Sequence, residues 1–353
     1  MTSPASAQAI RVPCRFLGTS GLLVSRLSLG SWMLLDAKNT ADKWYEMMAL
    51  AFKHGINLFD NAECYGDGQA EENMGSAVQK GIANGDWSRE DLVITTKIYF
   101  GSKGAKAGPN DLGLSRKHIV EGTRASLQRL QLEYVDVIYC HRPEAFTPME
   151  EVVRAMNFVL KRGWAFYWGT SQWTSAEILD ACEIADRLHL VRPVVEQAEY
   201  NLFQRSKVEF EFADLYKKHK LGLTTWGPLS SGTLTGKYSG GTPKGSRLED
   251  PRVQVIVPNF VDLAARAEKL KPIAKALDCS MAQLAIAWCL TNEHVTTVLL
   301  GASTLEQLEH NLKALKVVEK ITPEIKLEME KLVPFVPQLA KPDNLAMLRA
   351  RYL

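Results

Sequence analysis

The sequence has no long apolar run. Its most apolar stretch, near Met281–Leu290, is broken by Gln283 and falls short of the roughly 18 residues a membrane helix needs. The opening residues Met1–Ile10 are polar and lack the basic-then-apolar order of a secretory signal, so none is expected. A one-sided charge is missing too. Lys and Arg number 42 against 40 Asp and Glu, a net of +2, which argues against a nucleic-acid binder with its clustered basic excess. Cysteine is sparse, and the six (at 14, 64, 140, 182, 279 and 289) include no C-x-x-C pair. They read as reduced, buried thiols of a cytoplasmic protein. Cys64 and Cys140 flank candidate site residues and are expected to be the oxidation-sensitive ones if any are. His141-Arg142-Pro143-Glu144 has no second His or Cys at ligand spacing, so no metal is expected. There is no internal repeat, no low-complexity tract and no interdomain linker.

What is present is regular alternation. With 353 residues, 46% hydrophobic and 23% charged, the chain can form two ordinary domains or one large α/β domain. Strand-like runs occur at Leu27–Gly30, Asn57–Asp60, Leu92–Lys97, Val135–Cys140, Ala165–Gly169, Val194–Gln197, Leu223–Trp226 and Thr297–Leu300. Helical apolar spacing lies between them, as in Trp44, Met47, Met48, Ala51 and Phe52. Thr147-Pro148-Met149-Glu150, Thr174-Ser175-Ala176-Glu177 and Ser303-Thr304-Leu305-Glu306 read as helix starts, and Ser115 as a cap. Alternating strands and helices imply a parallel sheet. Eight strands suit a closed (β/α)8 barrel, and a doubly wound open sheet is the competitor that periodicity leaves open.

Three segments interrupt the pattern. Cys14–Ser25 carries a hairpin signal at Gly18-Thr19-Ser20-Gly21 and is expected to plug a barrel floor. Gly227–Phe260 is a long Gly-, Ser-, Lys- and Arg-bearing loop after the seventh strand, of the length that lids and binding loops have. After Ile321 the chain reads as helix Glu324–Leu332 and a short Asn344–Arg351 helix. The expected division is a tail over 1–14, a catalytic unit over 15–320 and a helical extension over 321–353.

Four polar residues follow consecutive strand-like runs: Asp60, Tyr65, Lys97 and His141. In a parallel sheet all four converge at the carboxyl ends of the strands. A phenol titrates near pH 10, too high for a good acid at neutral pH. A neighbouring ammonium would lower that value, and the ammonium itself needs a carboxylate partner. Tyr65 as acid, Lys97 as its perturber and Asp60 as the lysine's partner form one consistent chain of roles, with His141 either orienting a carbonyl oxygen or sharing the proton. The hydride for a reduction would come from a nicotinamide, since no side chain supplies one. No strand is followed by G-x-G-x-x-G; Gly66-Asp67-Gly68-Gln69-Ala70-Glu71 ends in Glu and reads as a turn. A phosphate site is expected instead at Gly301-Ala302-Ser303, which follows the eighth strand and opens a helix, with Lys237 and Arg247 closing over the same anion. The tryptophans at 164, 168 and 173 read by default as core packing, with Trp173 the best candidate of the three to face a substrate.

The string Asn57-Leu58-Phe59-Asp60-Asn61-Ala62-Glu63-Cys64-Tyr65-Gly66, with Lys97 and His141, resembles the aldo-keto reductase superfamily. Gly113-Leu114-Ser115-Arg116-Lys117-His118-Ile119, Glu196-Gln197-Ala198-Glu199-Tyr200 and Leu284-Ala285-Ile286-Ala287-Trp288-Cys289-Leu290 narrow the resemblance to the β subunits of voltage-gated potassium channels. It runs from about Arg15 to Val318 and implies a (β/α)8 TIM barrel, NADP(H), reduction of aldehydes or ketones with Tyr65 as proton donor, and a homotetramer able to dock on a channel α subunit. That docking would make a cytoplasmic protein peripheral to the membrane. The rival role it implies is regulatory, with bound NADP(H) as a redox sensor.

By position, the resemblance places cofactor contacts on Ser31, Trp32, Asp60, Ser171, Gln172, Gln197, Trp226, Gly227, Pro228, Leu229, Ser230, Ser231, Lys237, Arg247, Gly301, Ser303, Gln307 and Asn311. The channel subunits usually carry Asn where this chain has His141, the residue of the wider superfamily. Gln172, Gly227 and His310 replace a usual Arg, Ser and Glu, which implies altered pyrophosphate and adenine contacts. With about fourteen residues before the barrel, channel block by a tethered inactivating peptide is not expected.

Overall fold

A computed structural model describes residues 10–32, 40–238, 259–339 and 343–353. Strands β1 (Cys14–Phe16) and β2 (Leu23–Ser25) form an antiparallel hairpin. Strands β3 (Leu27–Gly30), β4 (Leu58–Asp60), β5 (Val93–Ile98), β6 (Val135–Cys140), β7 (Ala165–Ser171), β8 (Val195–Glu199), β9 (Gly222–Trp226) and β10 (Thr297–Leu300) form a closed barrel. β10 pairs with β3, every neighbouring pair is parallel, and helices surround the strands, so the open sheet is excluded. All eight strand-like runs of the sequence are barrel strands.

Strands enclosed on both faces are why those runs are nearly continuously apolar. Inside, Leu58, Val93, Val137, Tyr139, Val195 and Leu299 pack with Leu17 and Val24 of the hairpin, which closes the barrel floor as expected. Gly18 makes that closure possible. Its φ is +58°, and a Cβ there would lie 2.3 Å from the Val194 carbonyl oxygen, so no side chain fits. Outside, Phe59, Ile94 and Ile138 meet the helix layer.

Capping follows the sequence at Ser115, which accepts from the His118 amide, and at Thr174–Glu177, a reciprocal capping box. Two helix starts differ from expectation. Helix Met149–Lys161 has no side-chain cap, because the Thr147 hydroxyl donates to Glu144 at 2.7 Å. Helix Leu305–Leu312 is capped by Thr304, one residue later than the Ser303 box, because Ser303 donates to the Gln307 side chain instead. Helix Pro323–Leu332 is followed by the short 3-10 helix Asn344–Tyr352, where the sequence placed a short helix, and it returns to the catalytic rim. There Tyr99 donates to the Leu345 carbonyl, Tyr352 to the Ala107 carbonyl, and Arg349 to Glu144.

Candidate active site

A parallel barrel brings all its strand carboxyl ends to one rim. Asp60 ends β4, Lys97 lies on β5 and His141 follows β6. Tyr65 opens a tight turn, Tyr65–Gly68, whose next three residues all have left-handed backbones (φ +60°, +53° and +98°).

The four side chains meet as expected. The Lys97 ammonium, fully buried, donates to Asp60 Oδ2 at 2.5 Å, to the Asn61 carbonyl at 2.6 Å and to the Tyr65 hydroxyl at 3.3 Å. Its three donors are all used. Asp60 Oδ1 accepts from Thr95 at 2.7 Å and from Gln197 Nε2 at 3.1 Å. The His141 ring stands edge-on to Tyr65, centroids 5.8 Å apart, and its Nδ1 lies 3.9 Å from the Cys64 thiol.

The electrostatics correct one expectation. Burial, then the Asp60 charge, holds the Tyr65 phenol well above its ordinary value. Desolvation outweighs the pull of Lys97, whose ammonium is shared with Asp60 at salt-bridge distance. Burial lowers Lys97 itself against the pull of Asp60, and lowers His141 well below its ordinary value, leaving a neutral imidazole. The Cys64 thiol is pushed up to about 12, chiefly by burial, and Cys140 is buried with its thiol also raised. Neither is the exposed, low-pKa thiol that oxidation selects, which leaves both in the packing role usual for buried cysteine. Trp173 is 1% exposed and packs in the core, in line with the packing reading of the three tryptophans.

Sequence reasoning missed Glu63. Its buried Oε1 accepts from the Tyr99 amide at 2.7 Å, the Gly101 amide at 2.8 Å and His118 Nε2 at 3.0 Å. It therefore clamps the Tyr65 turn to the loop after β5, where Phe100 packs edge-on against His141 with centroids 5.0 Å apart. A carboxylate in the apolar setting of Ala62 and Cys64 was the available signal, since such a group must find donors.

The positions assigned to a dinucleotide lie around the same rim. Ser31 follows β3, and Trp32 beside it is partly exposed. Ser171 ends β7 and donates to the Gln197 carbonyl at 3.0 Å. Gln172 has φ +61°, and with its amide oxygen turned toward them accepts from the Glu199 amide and Trp226 Nε1. Trp226 ends β9, followed by Gly227, Pro228 and Leu229. Lys237 is exposed farther along that loop, and Arg247 lies outside the described residues. Gly301 follows β10, while Ser303 meets Gln307 through its amide and hydroxyl at the start of the helix that also carries Asn311. His310 bonds Ser280 at 2.8 Å.

Two observations fit a bound dinucleotide. The Ser31 hydroxyl is fully buried at the rim with no partner among the described residues, an acceptor or donor left for a ligand. Ser230, Ser231 and Gly232 are consecutive left-handed residues (φ +46°, +54° and +97°), strain of the kind kept at ligand clamps. Among the described residues no three potential metal ligands cluster, and no helix is long and apolar enough to cross a membrane.

Comparison with known proteins agrees with the geometry. The family model of the aldo/keto reductase family matches residues 26–330. The chain is 49% identical over 325 residues, 91% of its length and 97% of the relative's, to an Arabidopsis thaliana protein named "Probable voltage-gated potassium channel subunit beta". It is 48% identical, over the same shares of each chain, to an Oryza sativa subsp. japonica protein of the same name. A closed eight-stranded barrel with Asp60, Tyr65, Lys97 and His141 at its carboxyl rim, and a family match across most of its length, place this chain in the aldo/keto reductase family.

Proposed function

We propose that the protein is an NADPH-dependent carbonyl reductase in which Tyr65 delivers the proton to the oxygen of an aldehyde or ketone. The observation that carries this reading is the Lys97 ammonium held between Asp60 at 2.5 Å and the Tyr65 hydroxyl at 3.3 Å. Bound NADPH supplies the hydride to the carbonyl carbon. Its raised pKa keeps the Tyr65 phenol protonated and ready to donate at neutral pH. As oxygen charge develops, Lys97 stabilises the departing proton's phenolate at a fixed distance, without reorganisation. The neutral His141 ring is positioned to donate a hydrogen bond to the same oxygen. In the tautomer that accepts the Cys64 thiol at Nδ1, 3.9 Å away, the ring proton lies on Nε2.

The rim residues Ser31, Trp32, Ser171, Gln172, Gln197, Trp226–Ser231, Gly301 and Asn311 would hold the cofactor, and Ser303, Gln307, Lys237 and Arg247 its 2′-phosphate. A charge-assisted contact to a phosphate contributes about 1.5–3 kcal/mol. Arg247→Ala should therefore weaken NADPH about ten- to a hundredfold and NADH little, measured by fluorescence titration. Equal losses for both would remove Arg247 from the 2′-phosphate.

A second role is favoured by the names of the relatives. As a cytoplasmic homotetramer, the same barrel would dock on a voltage-gated potassium channel α subunit and report redox state through its NADP(H). Head-to-tail interfaces that close into a ring are required. Light scattering should give four times the 39.4 kDa of one chain. A monomer mass at micromolar concentration would remove the fourfold docking.

A further inference from the structure

Of the three groups that accept from Lys97, the Tyr65 hydroxyl is the farthest. The ammonium stands 2.5 Å from Asp60 and 2.6 Å from the Asn61 carbonyl but 3.3 Å from Tyr65, the long end for such a bond. That contact is too weak to hold the phenol in place by itself. The turn that carries it does not hold itself either. Asp67, without glycine's freedom, sits in the left-handed region between Gly66 and Gly68, and the bonds from the Tyr65 amide to Ala62 and from the Asp67 amide to Cys64 are 3.1 and 3.2 Å long. A conformation of this kind persists only where the surroundings over-determine it. Glu63 secures one side of the turn through the Tyr99 and Gly101 amides.

An ion pair secures the other side. Glu71, in the first turn of helix Gln69–Asn84, is fully buried. Its Oε1 accepts from the Thr96 hydroxyl at 2.5 Å and its Oε2 from Arg129 Nε at 2.7 Å. Thr96 precedes Lys97 on β5, with its side chain on the opposite face of the strand. Glu71 therefore ties the end of the Tyr65 turn to the strand that carries Lys97. Arg129, from helix Arg116–Leu130, completes the brace: Nη1 donates to Ser102 in the loop after β5 at 3.2 Å, and Nη2 to Ser126 at 3.1 Å. Its Cδ lies 2.7 Å, and its Nε 3.0 Å, from where a Cβ on Gly68 would stand, so the arm rests directly against the last residue of the turn. Burial raises the Glu71 carboxyl, and the first group working against that rise is Arg129.

Building on the carbonyl-reductase reading, we propose that Glu71 and Arg129 are positioning residues for proton transfer, bracing the Tyr65 turn against β5 so that the phenol stays within reach of Lys97. Their side-chain bonds go to each other and to Thr96, Ser102 and Ser126, none of them to Asp60, Tyr65, Lys97 or His141. They act through the place of the Tyr65 hydroxyl, and a misplacement of about 1 Å costs up to about a hundredfold in rate.

The test is single-turnover reduction of an aromatic aldehyde by protein loaded with NADPH, with the rate taken per bound cofactor so that any unfolded fraction drops out. Arg129→Met should slow the reaction about ten- to a hundredfold, the scale of a misplaced acid, and leave NADPH affinity unchanged. Arg129→Lys keeps a cation beside Glu71 but cannot reach Ser102 and Ser126 at once, so it should recover part of the rate. Adding Arg129→Met to Tyr65→Phe should cost nothing more, since no phenol proton is left to place. A pair that merely supports the barrel would slow both backgrounds by the same factor. That result, or an Arg129→Met variant as fast as wild type, overturns the assignment. Should Arg129→Met fail to bind NADPH, Arg129→Lys carries the same comparison. A readout without turnover is the Cζ signal of Tyr65 in protein made with carbon-13 tyrosine, identified by its loss in Tyr65→Phe. The brace predicts that this signal shifts in Arg129→Met, and an unmoved signal overturns it. Tyr65→Phe as fast as wild type would instead remove Tyr65 as the acid and the brace with it, whereas a slow Tyr65→Phe beside a fast Arg129→Met removes the brace alone.

Discussion

Tyr65→Phe should reduce carbonyl turnover by about 10²–10⁴-fold, the usual worth of a positioned general acid. NADPH affinity should stay within about twofold, because the lost hydroxyl touches Lys97 and no phosphate-site residue. The fold should be unaffected, since the ring, its packing beside His141 and its turn all remain. The informative comparison is kcat against NADPH Kd on the same preparation. Turnover within about twofold of wild type would mean that another group gives the proton, and among the described residues Lys97, 3.3 Å from the hydroxyl, and His141 beside the ring are the candidates.

Lys97→Met should abolish turnover to a similar degree and also destabilise the protein. Lys97 is the hub of the site, donating to Asp60, the Asn61 carbonyl and Tyr65. Removing it leaves the Asp60 carboxylate, 3% exposed, with Thr95 and Gln197 as its side-chain donors and no counter-charge. Breaking a buried ion pair from one side costs about 3–5 kcal/mol. Asp60→Asn combined with Lys97→Met should restore much of that stability and none of the activity, which separates the electrostatic cost from the chemical one. Urea unfolding of the two variants, with turnover measured in parallel, decides this. A single variant as stable as wild type would show that the Asp60 carboxyl takes up a proton when its partner is removed.

What the sequence disclosed depended on how local the signal was. The eight strands were legible because each is a short apolar run closed in on both sides, and Asp60, Lys97 and His141 were legible because they terminate or follow such runs. Closure of the sheet was not local: nothing in either strand says that β10 pairs with β3. Helix starts were readable to within a residue, with errors where a hydroxyl had a competing acceptor, as at Thr147 with Glu144 and Ser303 with Gln307. Glu63 escaped notice because its partner His118 is 55 residues away, and the Arg349–Glu144 contact spans 205. The sign of the Tyr65 shift was missed for an energetic reason. Sequence shows which charges are near one another, while the depth of burial, which outweighs them here, appears only in the folded molecule.

The central claim is that this barrel moves a hydride from NADPH to a carbonyl while Tyr65 supplies the proton. It is tested most directly by a single-turnover experiment on protein loaded with stoichiometric NADPH and mixed with excess aromatic aldehyde. A carbonyl reductase will consume the nicotinamide absorbance, form one alcohol per cofactor, and do so about 10²–10⁴-fold more slowly with Tyr65→Phe. Nicotinamide absorbance that decays no faster with aldehyde than without it would contradict that claim.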